Sequence, residues 1–220
     1  MKTEKKRKFK KHYWLLVDLA VAVFILILLL YRPGSYEPID SDLEQGRVHP
    51  YITYLSSEIY NGAQLQEPFQ LVVFDDKLTQ SIAGWSEGSE DVWLSSPVIC
   101  FEPSGIELMA MADMKGVELI ATVVIQPQID ENGLLNLQVD KVRLGAVNIT
   151  PLARIVARRM YAQQLADMPV DMEDWRTKVF ASLVNNEPFD PVFKVEDKKI
   201  RLKKITITDE KLTLNFIPAP

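Results

Sequence analysis

The stretch IELMAMADMKGVELIATVVIQ, Ile106 to Gln126, decides how this chain folds. Lys115 and Gly116 sit between two apolar runs, which is the signal of a two-residue hairpin. If Met114 pairs with Val117, then Ala112 meets Leu119, Ala110 meets Ala121, Leu108 meets Val123 and Ile106 meets Ile125, giving one wholly apolar face. The other face sets Glu107, Met109, Met111 and Asp113 against Val124, Thr122, Ile120 and Glu118, and is half apolar. A three-residue loop with a bulge at Gly116 would shift the pairing by one residue and mix the faces, so this register is a preference. Ile120 and Val124 are apolar where a sheet with one wet side calls for polar residues. Either a second layer covers them or they line an apolar groove.

The pattern continues on both sides. VICF (98–101) and LLNLQVDKVRL (134–144) read as further strands, with turns at EPSG and DENG, and FQLVVF (69–74) as an earlier one. HPYITYLSSEIYNGAQ (49–64) predicts a short helix whose aromatic-rich face is Tyr51, Tyr54, Leu55, Ile59 and Tyr60. A second helix is predicted from Asp75 or Asp76 to Gly84. TPLARIVARRMYAQQLADM (150–168) is the best-patterned helix of this part: Thr150 suits an N-cap, Pro151 the first turn, and Leu152, Ile155, Val156, Met160 and Leu165 form an apolar stripe. MEDWRTKVFASLV (172–184) predicts another helix, with Trp175, Val179 and Leu183 inward. The tail (198–218) reads as a hairpin turning at Asp209 and Glu210, with Ile205, Ile207, Leu212, Leu214 and Phe216 as core candidates. This is the alternation of an α+β fold, an antiparallel meander with a helix or helix pair against one face.

The N-terminus has a different composition. Seven Lys/Arg lie in the first eleven residues, and an apolar run of nineteen residues follows from Tyr13 to Tyr31. At ~1.5 Å per residue it spans roughly 28 Å, close to a bilayer's hydrocarbon thickness. The expectation is therefore a basic cytoplasmic flank (1–12), a single-pass membrane anchor (13–31), a polar stalk (32–48) and an extracytoplasmic α+β domain (49–220), with the N-terminus inside the cytoplasmic (inner) membrane. Trp14 and Tyr31 suit interfacial belts. Asp18 either pairs with a partner helix or reaches the interface near a lysine.

Several function classes are disfavoured. Residues 33–220 carry 17 Lys/Arg against 28 Asp/Glu, a net charge of about −11, which argues against a nucleic-acid partner. The single cysteine, Cys100, excludes an intrachain disulfide framework and sits in an apolar run where an inert thiol is expected. GWSEG (84–88) has the spacing of a hydrolase nucleophile elbow, but the segment before Ser86 reads as a helix. The only histidines, His12 and His49, both precede it. DENG lacks the later glutamate of a calcium loop. No catalytic residue, metal site or cofactor is expected.

ENGLLNLQVDKVRLGAVNITPLARIV, with its turn glycine, alternating strand, Leu144–Gly145 pair and Pro151 at a helix start, resembles the YpmS-like bacterial proteins. The terminal ITITDEKLTLNFIP also resembles the last hairpin of that group and of the LmeA-like phospholipid-binding proteins. The resemblance covers about residues 68–217. It implies a curved antiparallel β-meander sheet packed against a long helix or helix pair, preceded by one N-terminal transmembrane helix, in the manner of tubular lipid-binding folds. The function it implies is a membrane-anchored protein of the bacterial envelope that binds or transfers a lipid or other long apolar ligand. The alternative is a non-catalytic structural or assembly protein that docks to envelope protein partners. Met109, Met111, Ile120 and Val124 are the candidate groove residues, since methionine adapts to irregular alkyl shapes. They could equally pack under an N-terminal helix. Arg154 and Arg158, with Arg159, form either a solvated basic face or a headgroup contact.

Overall fold

Short apolar runs punctuated by turns pair into strands, and the pairing here divides them between two sheets. A computed structural model describes residues 2–39, 48–83, 94–114, 116–167 and 175–220, with side chains described from residue 14 onward, 164–167 apart. The GWSEG pentapeptide with Ser86, the Lys115 hairpin residue, the Leu165 side chain and the start of the helix expected from Met172 lie outside the described residues.

The larger sheet is a five-stranded antiparallel meander of β2 (Leu94–Glu102), β3 (Gly105–Asp113), β4 (Glu118–Ile129), β5 (Leu135–Leu144) and the short β6 (Val147–Asn148). Its central hairpin has the preferred register: Ile106 faces Ile125, Leu108 Val123, Ala110 Ala121 and Ala112 Leu119. Met114 and Val117 close it with reciprocal backbone hydrogen bonds of 2.9 and 3.4 Å, and Gly116 takes a φ of 84° that favours glycine.

The second sheet holds β1 (Phe69–Phe74), β9 (Lys211–Pro218), β8 (Lys198–Thr208) and β7 (Val192–Val195), in that order. The tail hairpin turns at Asp209–Glu210 as expected. β1 joins it by pairing Phe69 with Phe216 and Leu71 with Leu214, so a single meander is corrected to two antiparallel sheets. The main core lies where this sheet meets the β2–β3 and β4–β5 turn ends of the larger one, around Leu71, Phe101, Leu135, Ile200, Leu202 and Phe216. Asp75 ties the two sheets together: its Oδ2 accepts from Phe101 N–H at 3.0 Å, and its own N–H donates to the Glu210 carbonyl at 3.3 Å.

Helices α2 (Pro50–Leu65) and α3 (Asp75–Ala83) flank β1. His49 caps α2, with Nδ1 accepting from Tyr51 N–H at 3.1 Å. Tyr51, Leu55 and Ile59 pack on the core, while Tyr54 and Tyr60 face outward. Helices α4 (Thr150–Asp167) and α5 (Trp175–Asn185) run beside β5, the Tyr161 and Phe180 rings meeting at 5.4 Å.

Helix α1 (Lys2–Leu29) carries the basic flank into the apolar run. It stops at Leu29, so 17 residues of the Tyr13–Tyr31 run are helical. That is about 25 Å against a hydrocarbon core of ~30 Å, and exposed Asp18 lies among them. Among the described residues no helix is long and apolar enough to cross a membrane. The expected transmembrane anchor, and the inner-membrane single-pass location built on it, are corrected accordingly. Instead the end of α1 docks on the larger sheet: Ala146 N–H donates to the Leu28 carbonyl at 2.7 Å, and Pro33 shortly afterwards cannot continue a helix.

Candidate functional site

Side chains alternate across a strand, so the observed registers sort the larger sheet into two faces. One carries Glu107, Met109, Met111, Ile120, Thr122, Val124, Lys141 and Arg143; the other is apolar. The mixed face is roofed by the segment leaving α1. Tyr36 is buried there with Val98, Met109 and Ile120, with Cys100 and Met111 packed against them. Its hydroxyl donates to the Ser96 carbonyl at 2.9 Å, and burial raises its pKa above the ordinary tyrosine value despite that bond and the Arg32 charge. Met109 and Ile120, expected as groove residues, are core here. Of the two accounts of Ile120, cover by a second layer is the one the structure adopts, and the cover is Tyr36.

Beside that cluster lies a cleft of about 480 Å³ between the Tyr31–Ser35 segment and the strands. Val124, the fourth expected groove residue, lines it, along with Glu107, Asp140, Lys141 and Arg143. Glu107 is buried and forms an ion pair with Arg143. Arg143 Nε and Thr122 Oγ1 are buried without a hydrogen-bond partner among the described residues. The cleft is charged, and among its lining residues the Ser104 hydroxyl donates to the Glu102 carboxylate at 3.2 Å. The nearby Cys100 thiol is pushed up to about 11 by burial first, then by the carboxylates of Asp75, Glu107, Glu102 and Glu37, so it stays protonated at neutral pH. No cluster of three or more metal-ligating side chains occurs among the described residues.

The apolar face is covered only in part. Near the turn ends it joins the main core, but the rows Leu108–Val123–Val142 and Ala110–Ala121–Leu144 are half-buried and belong to neither apolar cluster. Helix α4 is expected to lay its Leu152–Ile155–Val156–Met160 stripe on the sheet. It does the opposite, leaving these four residues 48–67% exposed. Two hydrogen bonds set this rotation. Thr150 Oγ1 accepts from Val142 N–H at 2.8 Å instead of capping its own helix, and Arg154 donates to the Val139 carbonyl at 2.9 Å on the β5 edge. Residues 150, 154, 157 and 161 lie on one side of a helix, so fixing the first two turns Ala157 and Tyr161 inward and the stripe outward.

No protein-family model matches this chain, and no curated protein matches it.

Of the expected contacts, Arg154 is engaged by the β5 edge, whereas Arg158 and Arg159 are exposed. Trp14, Asp18 and Tyr31 are exposed on or just after α1, and Tyr31 also lines the cleft. The sequence reading missed the Glu107–Arg143 pair, the Tyr36 plug and strand β7. Glu107 within an apolar strand was a signal for the first, because a charge on a covered face needs a partner. The short run Val192, Phe193 and Val195, rich in β-formers and followed by a Glu196–Asp197 turn, was a signal for the third.

Proposed function

We propose that this protein binds a lipid or another long apolar ligand, without catalysis, along the half-buried rows of the larger sheet beside α4. The observation that carries this reading is the pair of rows Leu108–Val123–Val142 and Ala110–Ala121–Leu144, an apolar strip that is only half-buried and belongs to neither apolar cluster. An apolar surface of this kind on a folded chain marks an interaction site, and its strip shape suits an alkyl chain better than a compact polar metabolite. The resemblance to YpmS-like and LmeA-like proteins points to the same ligand class.

The test is native mass spectrometry of the full chain with organic extraction, followed by titration with a fluorescent fatty acid in the absence of vesicles. A discrete bound mass and saturable uptake are expected. Ala121→Phe, which fills the strip without adding polarity, should reduce uptake by roughly tenfold or more, equivalent to about 1.4 kcal/mol. A bare chain that takes up no fatty acid would sink the ligand reading and leave the second one, a non-catalytic scaffold whose apolar rows meet a protein partner.

A further inference from the structure

We propose that α4 is the face through which the protein docks on an anionic lipid surface. The idea deepens the ligand-binding reading and rests on it, since a lipid binder has to meet the surface from which it loads. Thr150 to Gln163 contains three arginines and no acidic residue, in a chain whose net charge is −5. Hydrogen bonds from Thr150 and Arg154 hold the helix so that Leu152, Ile155, Val156 and Met160 face away from the fold. At ~100° per residue Arg159 falls inside that stripe and Arg158 on its flank. Neither makes a hydrogen bond or ion pair among the described residues.

An apolar stripe interrupted by a long cationic side chain is a poor protein core but suits the boundary between headgroups and acyl chains. The methyl groups enter there while the arginine stem lies along them and the guanidinium reaches a phosphate. A helix made only to be solvated would place acidic residues three or four positions from its arginines, and this one does not. The surrounding surface fits the same assignment. α4 begins four residues after Ala146, whose N–H holds the end of α1, and the exposed Leu30 and Tyr31 follow that contact directly.

The test reports on α4 itself, because exposed apolar side chains on α1 could bind vesicles without it. In a Cys100→Ser background, Met160→Cys is labelled with an environment-sensitive fluorophore on the full chain. The chain is titrated with vesicles of phosphatidylcholine alone and of equal parts phosphatidylcholine and phosphatidylglycerol. A blue shift on the anionic vesicles and none on the neutral ones is expected, weakened about thirtyfold in Arg158→Gln/Arg159→Gln and suppressed by salt. Circular dichroism checks that the exposed substitutions leave the fold intact. Equal shifts on both vesicles would remove the role of the arginines and overturn the proposal. No shift on either would also overturn it, making α4 a face for a protein partner. Fatty-acid uptake without vesicles is read separately, so a chain that docks but takes up no ligand sinks only the ligand reading.

Discussion

Gly145 lies directly beneath the carbonyl oxygen of Leu29, so close that a Cβ on Gly145 would overlap it. The residue also has a φ of 58°, and its neighbour Ala146 donates to the Leu28 carbonyl at 2.7 Å. The β5–β6 turn thus receives the open carbonyl end of α1 and fixes the helix to the sheet.

Gly145→Ala should therefore cost more than the ~1–2 kcal/mol of a left-handed alanine, because the methyl group also pushes on α1. A lowered denaturation midpoint together with faster hydrogen exchange at residues 30–36 is expected. Unchanged exchange there would show that α1 does not depend on this turn.

Glu107 is buried and its partner Arg143 is one-third exposed. Removing the arginine alone, as Arg143→Met, leaves a buried carboxylate without its paired cation and should cost about 3 kcal/mol, the low end for a buried pair because solvent reaches one partner. Glu107→Gln/Arg143→Met should recover most of that loss. A double variant no more stable than the single one, measured by urea unfolding, would mean that the pair is not what the site depends on.

Thr79 is buried in α3, and its hydroxyl both accepts from Ile99 N–H at 2.9 Å and donates to the Ile99 carbonyl at 3.1 Å. Since β2 is the edge of the larger sheet, these two bonds satisfy backbone groups that would otherwise be open. Thr79→Val keeps the shape and strands both groups, so a loss of about 2–3 kcal/mol is expected, while Thr79→Ser should cost under about 1 kcal/mol beyond its missing methyl. Equal stability of the valine and serine variants in chemical denaturation would refute the assignment.

Cys100 gives a pH signature. With its thiol pushed up to about 11, alkylation by iodoacetamide at pH 8 should run roughly a hundredfold slower than in the unfolded chain, whose thiol has the ordinary value. The folded state holds this proton more tightly than the unfolded state does. Its contribution is intact below pH 9 and is lost as the pH rises from there towards 11. Tyr36, also raised, acts in the same direction above pH 10. Urea midpoints should fall across this alkaline window and fall less in Cys100→Ala; a flat profile in the wild type would contradict the burial of both groups.

Local chemistry was legible where neighbours in sequence are neighbours in space. The β3–β4 register followed from a two-residue turn and alternating side chains. The starts of α3 and α4 followed from Asp75 and Pro151. The sequence by itself determined the strands and helices other than β6 and β7, the turns between them, and that α4 carries an apolar stripe. It did not determine what that stripe faces, because periodicity defines a face and not its partner.

Only the tertiary structure decided that β1 leaves the meander for β9 across more than a hundred residues, that Tyr36 closes the mixed face over Met109 and Ile120, and that α1 ends against Gly145. It also decided the rotation of α4, through bonds from Thr150 and Arg154 to the β5 backbone. Each of these is a contact between groups distant in sequence, selected by the geometry of the assembled core, and no local pattern of residues encodes that geometry.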